Sequence, residues 1–235
     1  MVDLRQNTYS QAESNTIDQG LREYMLKVYN YMTSGLAISG LVAWTASQSP
    51  ALMNAIYGSA LQWVVMLAPL GFIFFLGARM QKMSNSAAQM TFWAFAAVMG
   101  LSMSYIFILY TGASITRVFF ITCSVFAAMS IYGYTTKRDL TKFGSFLMMG
   151  LIGIIIASVV NIFMKSTMME FVISCIGVLV FVGLTAYDTQ KIKSMYYSTS
   201  AEMATKTAIM GALTLYLDFI NLFLMLLRLF GKEDN

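Results

Sequence analysis

LTLYLDFINLFLMLLR, Leu213–Arg228, is apolar enough to lie in a bilayer, yet it holds a carboxylate, Asp218, among leucines and phenylalanines. A charged side chain near the bilayer centre costs about 2.5–3.5 kcal/mol even on permissive insertion scales, so such groups usually face the protein interior or water. Helical spacing supports an inward polar face here. Thr207, Thr214, Asn221 and Arg228 recur every seven residues, and Gly211 and Asp218 each follow a member of that series by four, so all share one stripe.

The rest of the chain fits the same reading. Of 235 residues, 58% are hydrophobic and 11% charged, whereas a soluble globular domain carries roughly 25% charged residues. This composition predicts an all-α membrane protein. The formal charge of +4 is explained by basic residues flanking membrane spans and calls for no nucleic-acid partner. Histidine is absent, which removes Ser-His and Cys-His nucleophiles and the usual His-ligated zinc sites. Cys123 and Cys175 each fall within an apolar run and read as small buried hydrophobes.

A hydrocarbon core of roughly 30 Å needs about 20 apolar residues per helix. Seven stretches qualify: 28–47, 61–79, 88–110, 115–134, 145–164, 169–188 and 207–230. The expected organisation is a polar tail, 1–24, with no signal-peptide h-region, followed by one seven-helix transmembrane domain, 25–235. Eleven of the fifteen Lys and Arg residues fall on one side of these spans; Arg117, Lys165, Arg228 and Lys232 fall on the other. Cytoplasmic loops carry the basic excess, so the N-terminus is expected in the cytoplasm. Seven full crossings put the C-terminus outside, although Arg228 and Lys232 pull the other way and leave a re-entrant last segment as the alternative. Pro69 should kink the second span, and small residues at four-residue spacing, such as Gly35 and Ser39, should let helices approach closely.

With the spans assigned, most acidic residues lie in tails, loops or span edges. Asp188 closes the sixth span and Asp218 lies inside the seventh. If the two meet, burial and mutual repulsion disfavour two free carboxylates, and one shared proton is favoured, the pair titrating as a unit. Protonated, the pair ties two helices together. Ionised, it repels itself and offers oxygens to a hard cation; two carboxylates fall short of the six to eight oxygens Ca²⁺ prefers, so a weak, transient metal site fits better than a storage cage. The structural alternatives are a packing hydrogen bond for Asp218 and a solvated interfacial position for Asp188. Arg79 and Arg228 read most simply as interfacial anchors and otherwise as latches.

Three blocks carry a resemblance: Gly177–Ile192, with GLTAYDTQKI; Leu213–Arg228; and YGYTTKRDLTKFGSFLMMGLIG, Tyr132–Gly153. They resemble the Bax inhibitor (transmembrane BAX-inhibitor-motif) family, the third block being typical of its bacterial branch. The resemblance implies a seven-helix bundle with the last helix central and wrapped by the other six. It also implies a pH-sensitive Ca²⁺ leak in the bacterial inner membrane controlled by an aspartate pair. The YD aspartate maps onto Asp188, the YLDF aspartate onto Asp218, and a latching arginine onto Arg79. Some bacterial relatives place a glutamate in the second span as partner of the arginine near the end of the seventh. This chain has no acid in that span, so a latch built on Arg228 lacks that partner.

Ca²⁺ and protons are therefore the expected ligands, with no tightly bound cofactor and no enzymatic activity. Two other functions compete. Bacterial relatives are associated with the inner-membrane ATP-dependent protease, which the polar tail would engage as an interaction module. Intramembrane aspartyl proteases also use a YD aspartate and a second one on the next helix. They need Gly-x-Gly-Asp, where this chain has Tyr216-Leu217-Asp218-Phe219, and a later proline, where none follows Pro69.

Overall fold

The computed structural model describes the backbone of residues 2–200 and 202–234, and the side chains of residues 19–200 and 202–234. Nine α-helices account for nearly all of it: α1 Val2–Ser47, α2 Pro50–Tyr57, α3 Leu61–Arg79, α4 Asn85–Met103, α5 Ile106–Leu109, α6 Gly112–Thr135, α7 Thr141–Met164, α8 Thr167–Ser198 and α9 Ala204–Phe230. Helices α2, α4, α6 and α8 start at hydroxyl caps. Ser84, Thr111 and Ser166 accept the backbone N–H groups of Ala87, Ser114 and Met169, which satisfies donors that a helix leaves open at its start.

Six of the seven expected spans are helices long and apolar enough to cross a membrane: α3, α4 with α5, α6, α7, α8 and α9. The remaining stretch, 28–47, forms the second half of α1 and carries too many hydroxyl and amide side chains to join them. Several expectations are corrected in detail. The polar tail and the first stretch form one continuous helix; the tail charges Asp3, Arg5, Glu13 and Asp18 lie outside the described side chains. The loop before α3 contains the short helix α2, started by Ser49 and Pro50. The third span breaks after Met103 and resumes as α5. Pro69 lies inside α3 as expected, and the helix continues past it to Arg79.

Helix α9 is the axis of the bundle. It packs on α1, α4, α6 and α8, and 72% of its most apolar stretch is buried, against 11% for α3 and for α7. Four helices therefore form the inner ring, while α3 and α7 are applied outside it, mainly on α4 and α8; the expectation of six helices around the last one overcounts the ring. At one end of α9, Lys206 Nζ donates to the Gln81 carbonyl beside the α3–α4 turn. At the other, Thr111 N donates to the Lys232 carbonyl, Asp234 N to the Leu109 carbonyl and Lys232 N to Ser114 Oγ. The last helix is thus continuous over 27 residues, about 40 Å, and crosses the whole bundle without re-entering.

The ring is held by close contacts between small and aromatic residues. Ser39 Oγ donates to the Ala96 carbonyl at 2.7 Å and shares a hydrogen bond of 2.6 Å with Tyr216 Oη. The Tyr216 ring meets Phe92 and Phe95 edge-on, an arrangement worth about 0.5–1.5 kcal/mol per pair beyond area burial. Gly35 faces the Phe92 ring and Gly100 the backbone of Ser39. The small residues thus permit the close approach of α1 to α4 that their spacing suggested.

Candidate functional site

Helices α8 and α9 run antiparallel along the centre. Two glycines set how closely they pack: Gly177 of α8 rests on the Met225 side chain, and Gly211 of α9 rests on Ile192. Between these contacts the Asp188 and Asp218 carboxyl groups lie next to each other, within reach of a shared proton. They are 8% and 5% exposed. Asp188 does not close its helix, since α8 continues to Ser198. Two carboxyl groups so placed can hydrogen-bond only when one of them carries a proton.

Asp218 Oδ2 is buried and has no hydrogen-bond partner. Leaving such an oxygen unpaired costs about 1–3 kcal/mol, more when charged, so it is the atom that a second proton, a water or a cation would serve. Among the described residues, no group of three or more His, Cys, Asp or Glu side chains is gathered in position to hold a metal ion. Lys191 is the cation whose field reaches Asp188.

The candidate latches stand elsewhere. Arg79 is exposed in the last turn of α3 and makes no ion pair with either aspartate among the described residues. Arg228 lies ten residues beyond Asp218, about 15 Å further along α9. It approaches Glu170 at the start of α8, Nε to Oε1 3.9 Å, with side-chain exposures of 37% and 54%. The acid beside Arg228 is thus on α8 and not in the second span. The pair borders a cavity of about 720 Å³ shared with Asn161, Lys165 and Asn221. Phe181 and Met225 also line it, Phe181 between Glu170 and Asp188 along α8 and Met225 between Arg228 and Asp218 along α9, while Asn221 lies one turn from Asp218. An exposed pair at this distance contributes at most about 1 kcal/mol. Arg228→Gln or Glu170→Gln should therefore lower the thermal midpoint by no more than a few degrees, read by a melting scan.

The polar stripe of α9 is divided in use. Thr214 Oγ1 donates to the Met210 carbonyl and Asn221 Nδ2 to the Leu217 carbonyl, both within their own helix. Asp218 and Arg228 turn instead to side chains of α8, Asp188 and Glu170.

The GLTAYDTQKI segment does more than supply Asp188. Thr189 shares a 3.0 Å hydrogen bond with Ser130 of α6, which shares one of 2.5 Å with Tyr29 of α1. Gln190 Nε2 donates to the Arg138 carbonyl while its Oε1 accepts from Leu140 N, clamping the α6–α7 link. Tyr187 covers Gly144 of α7. Residues flanking the aspartate thus fix α8 to three other helices, roles that a search for stray charges passes over.

The family model described as Inhibitor of apoptosis-promoting Bax1 matches residues 21–235. The chain belongs to the Bax inhibitor family. Within it, the chain is 49% identical to the protein RP147 of Rickettsia prowazekii over the whole of both chains. It is 49% identical to the inner membrane protein YbhL of Escherichia coli K12, over 91% of this chain and 93% of that one. A Caulobacter vibrioides protein is 42% identical over 92% of this chain and 91% of its own. The match to the Bax inhibitor family begins at Leu21, the first residue of α1 whose side chain is described as buried. It includes both aspartates, Arg79 and Arg228.

Proposed function

We propose that this Bax inhibitor family protein is a calcium leak of the bacterial inner membrane, gated by the proton shared between Asp188 and Asp218. The observation that carries this reading is the meeting of the two carboxyl groups across the α8–α9 seam in the bundle interior. The naming of the relative YbhL as an inner membrane protein supports the location. In the shared-proton state the pair ties α8 to α9. Loss of that proton replaces a hydrogen bond by repulsion between two buried charges, which favours separation and frees oxygens for a passing cation. Neutral and alkaline pH should favour the open state. The 720 Å³ cavity beside Arg228 would be the vestibule at the other end, reaching along α9 to Asn221, one turn from Asp218, with Phe181 and Met225 as apolar lining.

In this reading the second half of α1 crosses the membrane as a seventh span, with the N-terminus in the cytoplasm. Its hydroxyls suit that role: Thr33 and Thr45 donate to carbonyls one turn back in their own helix, and Ser39 donates to the Ala96 carbonyl of α4. The protein conducts and does not catalyse. Tyr216 and Phe219 stand where a protease of this kind would have the glycines that open the backbone to a peptide.

The test is Ca²⁺ flux into proteoliposomes of the purified protein between about pH 5 and about pH 8, the range over which a coupled buried carboxyl pair titrates. Absence of flux throughout overturns the proposal. A second role, modulation of the membrane ATP-dependent protease, is supported by α1, whose 46 residues correspond to about 69 Å and outreach a hydrocarbon core of roughly 30 Å. Deleting residues 1–20 should abolish protease modulation and leave Ca²⁺ flux intact, measured side by side.

A further inference from the structure

Helix α1 packs on α4, α8 and α9, and α6 packs on α8 and α9. Between α1 and α6 runs a groove of about 500 Å³, crossed by the Tyr29–Ser130 hydrogen bond. Met25, Leu26, Met32, Phe126 and Ile131 give it apolar walls. Its polar side chains Tyr29 and Ser130 are already bonded to each other and to Thr189, so it offers water little. Arg22 and Tyr134 stand at its mouth. Lys193 is bound there too, with Nζ donating to the Tyr134 carbonyl at 2.8 Å and lying 4.8 Å from the ring centroid.

We propose that this groove is a binding site for one anionic phospholipid, with an acyl chain between α1 and α6 and the phosphate held at Arg22 and Lys193. Charge and depth both favour that occupant. Two cations flank the mouth and, among the described residues, no carboxylate lines the groove, the arrangement by which basic pockets between membrane helices take anionic headgroups. From Arg22 to Met32 the wall is ten residues, about 15 Å along the helix. That is half of a hydrocarbon core of roughly 30 Å, the depth of one leaflet. Apolar lining continues in the other half as a separate cavity of about 260 Å³ bounded by Leu36, Phe119 and Phe219. The site is independent of whether the protein conducts Ca²⁺.

Native mass spectrometry of the detergent-solubilised full chain, with phosphatidylglycerol or phosphatidylcholine of the same acyl chains added, tests it. The wild type should retain one phosphatidylglycerol at about fivefold higher occupancy than phosphatidylcholine, as one to two basic groups at a membrane surface imply. Arg22→Gln, at an exposed position, should bring the two lipids close to equality. Ala127→Trp, from the groove wall, should lose the bound lipid while eluting at the wild-type volume. Equal retention of both lipids by the wild type overturns the proposal. So does an unchanged preference in Arg22→Gln, an undiminished adduct in a folded Ala127→Trp, or a protein chain co-purifying one to one in place of the lipid.

Discussion

Replacing Asp218 by asparagine should flatten the pH dependence of Ca²⁺ flux. In the wild type, the fraction of molecules with both carboxylates ionised rises up to about tenfold per pH unit as the shared proton leaves, and flux should follow it. The asparagine side chain has nearly the same shape, keeps a hydrogen bond to Asp188 and never ionises. The repulsion that separates α8 from α9 then cannot form, and flux should stay at its low, closed level from about pH 5 to about pH 8, a range that spans the shared-proton step. Asp188→Asn should behave alike, and the double variant should add little, because the two groups act as one titrating unit. A wild-type profile in either single variant sinks the shared-proton gate. Asp139 is the control, an exposed carboxylate in the α6–α7 link. Hydrogen bonds from the Thr141 hydroxyl and backbone N–H hold its carboxyl below the usual range. A depressed group contributes stability above its unfolded pKa and loses it only as pH falls through the lower folded value, so Asp139 stays ionised throughout the assay. Asp139→Asn should leave the profile unchanged.

The second large effect concerns packing. A Cβ built on Gly133 of α6 would lie 2.2 Å from the Ala186 carbonyl oxygen of α8 and 2.9 Å from two more backbone atoms. No side chain can swing away to relieve this contact. Gly133→Ala should force α6 off α8 and cost about 1–3 kcal/mol, the usual range for overpacking, despite alanine's better helix propensity. Gly153 of α7 is the counterpart, with nothing within 4 Å of its added Cβ. Gly153→Ala should be neutral or stabilising by up to about 1 kcal/mol. Thermal unfolding in detergent should separate the two variants by several degrees, since about 1 kcal/mol corresponds to roughly 2–4 °C in a chain of this size. Equal midpoints would show that the α6–α8 contact yields without cost. Gly133 also lies one turn from Ser130, whose bond to Thr189 adjoins Asp188. The same variant should therefore disturb the aspartate pair.

Much of this was legible without coordinates, and for a physical reason. In a bilayer every backbone polar group must be satisfied within its own segment, so a run of about 20 apolar residues is a helix almost regardless of its neighbours. That is why α3 and α9 end where the hydropathy pattern ends. The cost of burying charge likewise marked Asp188 and Asp218 as exceptions on composition alone.

On distances between helices the sequence was silent. Resemblance put Arg79 beside the aspartates, whereas the structure leaves that side chain exposed at the end of α3. Glu170 as the neighbour of Arg228 depends on the α8–α9 register, which the contacts at Gly177 and Gly211 define. The inner ring of four helices arises because α3 and α7, apolar all round, can face lipid, while α9 carries the carboxylate that cannot. Local polarity thus determined which segments are helices and which side chains are out of place. Only tertiary packing, through close approach at glycines and the Ser39–Tyr216 hydrogen bond, decided that Asp188 and Asp218 meet and that a groove stays open between α1 and α6.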